Sequence, residues 1–447
     1  MTDTTSFIQN SKAVTSDLLY NLKPSALPCR SYRASIPPTN SQTFAPGSLA
    51  VLYVPGARRG TFLDTSASYL RYTVQQNSIS SPFHVDGCGA SFINRLDVFH
   101  SSNALESIQQ YNVLYNAITD MQCSQAQKVG LQNSFGFGLD ATGRNGADLS
   151  GNLTKQTFCV PLLSGVVGTL IDKMLPLHAL NDDVRLEITW EQTDLAVCWT
   201  NGTSTPWSII NLELDLTIVE LGEEGMTMVN SVAPRNMPMF IHGNTWRHYV
   251  SNLASGTSGT YSTLVPARQA SLRQLMICPR RSTEITDPSS YSLSSRINPN
   301  IASYFWRIGS NLVPQKAVYL INSNTTGGYA EGFSEVQKAW HSLGHFEMAG
   351  SLPYALYNVA DAADTLSNVV APSTGQNSFK NAFLIQTELE SFSHRTDTIL
   401  SGVNTLSSQV FFECNILTAT TAPYTFDYFS NFDHIIIIEN GIASVKF

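Results

Sequence analysis

The sequence predicts an all-β fold with a few short helices, arranged as two consecutive β-sandwich domains. Three observations carry that expectation. Short runs rich in Val, Ile, Leu and aromatic residues recur along the chain and are bounded by Gly, Pro and Ser. The texture breaks at Gly222-Glu223-Glu224-Gly225 and then starts over. At 447 residues the chain is too long for one ordinary core, and it closes on a hairpin. In that hairpin the β-branched run 434–438 meets Asn440-Gly441, a dipeptide suited to a turn in which both central residues need positive φ, and 442–447 returns as a strand.

Taken in order, residues 2–23 are expected to form an N-terminal arm with one amphipathic helix. Val14, Leu18 and Leu22 recur at four-residue spacing, Phe7 lies in register towards the N-terminus, and Pro24 ends the segment. Strands are expected at 49–54, 68–75 and 92–99. A helix is expected over 104–121, where Leu105, Ile108, Tyr111, Tyr115 and Ile118 fall on one stripe. The Gly-rich stretch 131–152 shows no period and is expected to be an exposed loop. Strands follow at 157–167, 184–190 and 209–221, the last two alternating apolar residues with Arg, Glu, Asp and Thr, so that one face is dry and one wet. The second half repeats the pattern at 239–242, 246–250, 271–278, 304–308, 317–321, 383–392 and 409–417, with a helix expected over 335–346 and a polar insertion over 361–377. The resulting division is an arm over 1–47 and two β-domains over 48–225 and 226–447.

Composition limits the function classes. Charged residues make up 13% of the chain, about half of the ~25% usual in soluble domains, as expected equally of a surface that packs against copies of itself and of a secreted all-β protein with neutral loops. The net charge of −8 argues against binding through the phosphates of nucleic acid. The pairs Arg58-Arg59 and Arg280-Arg281 are isolated and are expected to be solvated loop charges. The seven cysteines are odd in number, spread out and never in a CxxC pair, which favours reduced thiols over a disulfide framework. The N-terminus lacks the charged start and apolar core of a signal peptide, and no apolar run approaches the ~20 residues needed to span a bilayer.

Catalytic signatures are absent from the sequence: it holds no P-loop, GxSxG elbow, HExxH or strand-to-helix GxGxxG. His341 and His345 are four apart on an expected helix and could face one metal, but Glu347 is out of register as a third ligand and Gly344 weakens the helix. They are expected to be surface or interface histidines. Glu388 and Glu390 alternate along an expected strand and sit side by side, whereas glycosidase carboxylates must flank the bond from opposite faces. They are expected on a solvated strand face with Leu389 turned inward. No catalytic residue, cofactor or metal is expected.

Several segments carry a family resemblance. INRLDVFHSSNALESIQQYNVLYNAI (93–118) contains an E-x-I-x-x-Y-N pattern running from Glu106 to Asn112, and TFCVPLLSGVVGTLIDKMLPLHALNDDVRLEITW (157–190) contains Pro161-Leu162 and Leu175-Pro176-Leu177. These resemble the first jelly roll of double-jelly-roll major capsid proteins, those of virophages, polinton-type elements and adintovirus-like viruses, with adenovirus hexon as a larger cousin. SLRQLMICPRR (271–281), Asn298-Pro299 with YFWRIGSNLVP (304–314) and the closing DHIIIIENGIASVKF (433–447) resemble the second. The resemblance implies two consecutive eight-stranded jelly-roll sandwiches and a non-enzymatic major capsid protein. Three copies would close into a pseudo-hexagonal capsomer that tiles an icosahedral shell in the virion, made and assembled inside the host cell. It implies as partners other copies of the chain, penton and minor capsid proteins, with the arm residues Phe7, Val14, Leu18 and Leu22 reaching a neighbour or an internal membrane and the long loops forming outward towers. The rival expectation, a secreted β-sandwich adhesin or carbohydrate-binding protein, calls for a signal peptide and paired cysteines.

Overall fold

A computed structural model of the chain describes residues 28–447 apart from 79–82, 138–147, 150–154, 200–205, 233–236, 286, 289, 321–328, 342–351, 353–356, 358–381 and 392–398. The first lobe opens with β1 (Cys29–Ile36), β2 (Thr43–Phe44), β3 (Leu49–Val54), β4 (Thr61–Gln75), β5 (Phe83–Val85), β6 (Ile93–His100) and β7 (Asn103–Gln109). Three helices follow, α1 (Tyr111–Gln122), α2 (Gln125–Gly130) and α3 (Gln132–Phe135). The lobe closes with β8 (Asp148–Leu149), β9 (Lys155–Val160), β10 (Val184–Trp190), β11 (Val197–Trp199) and β12 (Ser208–Leu221). Helix α4 (Glu223–Val232) links the lobes, with Glu223 and Glu224 in its first turn, where the helix dipole favours negative charge.

The second lobe runs through β13 (Met239–Leu253), β14 (Gly259–Val265), β15 (Leu272–Arg281), α5 (Ser282–Ile285), β16 (Ile301–Ile308) and β17 (Asn311–Tyr319). It continues with α6 (Ala330–Ala339), β18 (Ile385–Glu388), β19 (Val410–Ile416), β20 (Tyr424–Glu439) and β21 (Ile442–Lys446).

Both lobes follow one path. In the first, a sheet ordered β1-β12-β4-β9 faces a sheet ordered β3-β10-β6-β7; in the second, β13-β20-β15-β18 faces β14-β19-β16-β17. Counting only these eight strands in each lobe, one sheet takes the first, eighth, third and sixth and the other takes the second, seventh, fourth and fifth. The helix preceding the sixth strand also recurs, as α1 to α3 in one lobe and α6 in the other. This is the jelly-roll path traced twice. Short additions decorate it: β2 and β21 extend the large sheets, and β11-β5-β8 forms a small third sheet.

Each sandwich is filled by rings reaching across from both sheets. Tyr72 on β4 lies 5.3 Å from Trp190 on β10 and 5.8 Å from Phe158 on β9. The second lobe repeats this with Trp306 on β16, 5.1 Å from Phe412 on β19, which in turn lies 6.0 Å from Tyr428 on β20. Each such pair contributes ~0.5–1.5 kcal/mol beyond the area it buries. The closing hairpin forms as its dipeptide predicts, with Asn440 at φ 52° and Gly441 at φ 80° between β20 and β21.

The structure corrects several expectations. The stretch assigned to the arm over 1–47 contains β1 and β2, both paired with β12, so the first sheet begins at Cys29. The helix expected over 104–121 is a strand followed by a helix. Residues 103–109 pair with β6, Gln110 turns the chain at φ 48°, and α1 begins at Tyr111. A spacing of three between Leu105 and Ile108 fitted a helix stripe, but both are buried strand residues, and the register shift falls at Leu105. Helix α6 runs over Ala330–Ala339, residues 342–346 of the expected helix lie outside the described residues, and the strand expected over 157–167 stops at Val160. Arg280, expected in a solvated loop, is a buried residue of β15 whose Nε donates to Asp427 at 2.7 Å. No disulfide joins any of the seven cysteines; Cys29 is exposed, while burial pushes Cys88, Cys278 and Cys414 up to about 12, which leaves them protonated and unreactive.

Candidate functional site

Among the described residues, an extended constellation of buried polar groups lies between the two lobes. At its centre is Glu106 on β7, a carboxylate on the same strand face as the buried Ile108. It is buried, and β13 of the second lobe reaches it through Thr245. Its carboxylate accepts from Gly165 N at 2.9 Å and from the hydroxyls of Ser164 and, across the junction, Thr245. Burial pushes the Glu106 carboxyl up, and these three donors pull against that shift.

Around Glu106 the backbones of the two lobes meet directly. Leu170 O accepts from Asn244 N at 3.0 Å and His242 O accepts from Asp172 N at 3.1 Å, so the 161–172 loop is bridged to β13. The approach is close enough to require glycine. A Cβ on Gly165 would stand 2.1 Å from His434 Cε1 and 2.4 Å from Asn244 O. His434 on β20 is enclosed there, and burial lowers it to about 4, so it is neutral at physiological pH. His242 beside it behaves oppositely. Its ring bridges Asp433 at 3.0 Å and Asp172 at 2.5 Å, and the hydrogen bond to Asp433, then that to Asp172, raises it against the effect of burial.

Two more links are ionic or charge-assisted. Arg296, fully enclosed, donates to Asp120 of α1 at 2.6 Å, and Lys128 meets the other oxygen at 2.8 Å. Asp86, also buried, accepts from Leu293 N at 2.6 Å and from Ser294 Oγ at 2.5 Å. The closing hairpin docks on the first lobe as well: Gly441 O accepts from Asn181 N at 2.8 Å, and Asn103 Nδ2 donates to Ala443 O at 3.0 Å. A buried pair broken at one end costs ~3–5 kcal/mol, so these links make relative motion of the lobes expensive. What the arrangement does chemically is hold two sandwiches side by side as one body.

The site residues expected from sequence fall differently. Phe7, Val14, Leu18 and Leu22 lie outside the described residues, as do His345, most of the 131–152 loop and the whole 361–377 insertion. Glu388 and Glu390 do not sit on a solvated face: each side chain is about 5% exposed, and Leu389 is buried between them. His341, expected to be a surface or interface histidine, turns towards these two carboxylates, with Nδ1 3.5 Å from Glu388 Oε1 and Nε2 3.9 Å from Glu390 Oε2. The junction residues were not singled out as a site, yet part of the signal was present. In the E-x-I-x-x-Y-N pattern Glu106 is the junction carboxylate, Tyr111 Oη accepts from Leu163 N at 2.7 Å, and Asn112 Nδ2 donates to Glu191 at 2.7 Å.

No protein-family model matches the sequence. No curated protein matches it either. Solved structures do match. A chain of the PBCV-1 virus capsid is similar over 96% of this chain and 99% of its own, at TM-score 0.63 and 11% identity. The Faustovirus major capsid protein is similar over 94% of this chain and 92% of its own, at TM-score 0.56 and 9% identity. The mavirus major capsid protein is similar over 98% and 94%, at TM-score 0.52 and 10% identity. The chain therefore has the double jelly-roll fold seen in viral major capsid proteins. The likeness spans nearly the whole of both chains.

Proposed function

We propose that this protein is the structural subunit of a viral capsid shell. The observation that carries the reading is the junction: two jelly rolls joined by buried ionic and hydrogen-bonded links, in a chain similar over 96% of its length to a chain of a virus capsid. A shell subunit needs this, because its two lobes must present fixed surfaces to neighbours on every side. Three copies around a threefold axis would place six lobes in a ring, a pseudo-hexagonal capsomer able to tile an icosahedral shell.

The low charge of the chain supports contacts between copies, and so does the outer strand β13, where Phe240 and Val250 are about 60% exposed. The subunit would be non-enzymatic, and its place would be the virion. In this reading the partners are neighbouring copies together with penton and minor capsid proteins, and the segment with Phe7, Val14, Leu18 and Leu22 reaches beneath the capsomer to a neighbour or an internal membrane. The adhesin alternative has no support from the fold neighbours or from the free cysteines. Electron microscopy of the purified protein tests the reading: six-sided particles with a central threefold are expected, and isolated single subunits at high concentration would contradict it.

A further inference from the structure

At the edge of the second lobe's large sheet lies a group of side chains that the capsid reading does not use. β18 ends at Glu388, and Glu390 follows two residues on. Nearby, α6 ends at Ala339 and the chain turns at His341, whose backbone is left-handed at φ 56°. The helix end is anchored to the same sheet: Gln274 of β15, the register partner of Glu388, donates through Nε2 to Ala339 O at 2.5 Å. One ring nitrogen of His341 and one oxygen each from Glu388 and Glu390 thus lie within 4.8 Å of one another.

Glu388 gives an independent reason to expect a ligand. Its side chain is about 5% exposed, and its Oε1 is buried and accepts no hydrogen bond among the described residues. A buried carboxylate oxygen left in this way calls for a counter-charge. Arg273 cannot supply it: its Nε and Nη2 fork onto Glu390 at 2.8 and 3.2 Å, and its Nε lies 3.6 Å from Asp433, so its one positive charge is already shared. Negative charge is in surplus at the cluster.

We propose that His341, Glu388 and Glu390 bind one divalent cation of borderline hardness, with Zn²⁺ as the reference ion. An imidazole nitrogen with two carboxylate oxygens is a ligand set such ions take, and water completes a tetrahedron. Ligand atoms around tetrahedral zinc stand roughly 3.3 Å apart, close to the 3.5 Å between His341 Nδ1 and Glu388 Oε1. Glu390 is already oriented by outer partners, Arg273 at 2.8 Å and Ser401 Oγ at 2.7 Å, as ligating carboxylates commonly are. The ion would clip the end of α6 to the edge of the sheet and neutralise Glu388.

The proposal stands apart from the capsid reading and is tested apart from it. Full-length protein is stripped with EDTA and titrated calorimetrically with ZnCl₂, with thermal melts in parallel. One equivalent should bind and raise the melting temperature. Glu388→Gln and His341→Ala should each weaken binding tenfold or more, while Glu413→Gln, which alters a separate pair with Arg307, should leave it unchanged. Absence of stoichiometric binding, or wild-type affinity in Glu388→Gln, overturns the site. So does a melting temperature that ignores zinc.

Discussion

Acidification from about pH 7 to about pH 5 should weaken the junction through His434. Its imidazole is enclosed by Gly165, Gly243 and Asn244 and is lowered by burial to about 4, against an ordinary value of 6.5. In the unfolded chain the ring protonates as pH falls through 6.5, whereas the folded protein keeps it neutral until about 4. The unfolded state therefore binds more protons across that window, and stability falls with pH. Linkage gives a loss of about 2 kcal/mol between pH 7 and pH 5 from this one residue.

Other groups titrate nearby, and their signs differ. His242 is raised, so its contribution is fully present below 6.5 and is lost as pH rises through its folded value. Glu106 is raised by burial and favours the folded state more as pH falls. Asp433 is lowered, since the hydrogen bonds from His242 and Ser271 and the charge of Arg273 outweigh its burial; its contribution is lost only as pH falls through values below 3.8. The assay therefore compares wild type with His434→Gln by urea unfolding at both pH values, so that the shared terms cancel. Wild type should lose about 2 kcal/mol more than the variant over this range. Equal losses in the two proteins would refute the account of a neutral histidine sealed in the junction.

Three further outcomes follow from the same geometry. Gly165→Ala should destabilise by ~1–3 kcal/mol, read as a lower melting temperature, because the new Cβ meets Asn244 O at 2.4 Å, a backbone atom that cannot step aside. Arg296→Met should cost about 3 kcal/mol or more by breaking the buried Arg296–Asp120 link, and adding Asp120→Asn should recover part of that loss in the same denaturation experiment. Deleting residues 2–23 should leave the oligomer intact in sedimentation but impair shell formation under the microscope; loss of the oligomer itself would show that the segment belongs to the subunit interface.

Strands were legible where the local pattern decided the outcome. The alternation over 184–190 is β10 to the residue, and Asn440-Gly441 makes the turn its two positive φ angles demand. The duplication was legible only as texture, whereas the structure shows one strand path traced twice. Misreadings arose where two periods coincide. Leu105, Ile108 and Tyr111 satisfy a helical spacing, and only pairing with β6 makes the first two a strand. The junction was not legible as a site, because its partners are far apart in the chain: Glu106 meets Thr245, Asp120 meets Arg296, and Asn181 meets Gly441. The His341 cluster escaped for a related reason. The helix was expected to run past His345, but it stops at Ala339, and the turn that follows points His341 at carboxylates on another element.

The central claim is that two fused jelly rolls make a subunit built to close into a trimer. Sedimentation velocity on the purified full-length protein tests it most directly. The account predicts a species of about 147 kDa, three times the 48.9 kDa chain, persisting on dilution as a closed cyclic assembly should. A single species at 48.9 kDa over the whole concentration range would contradict it.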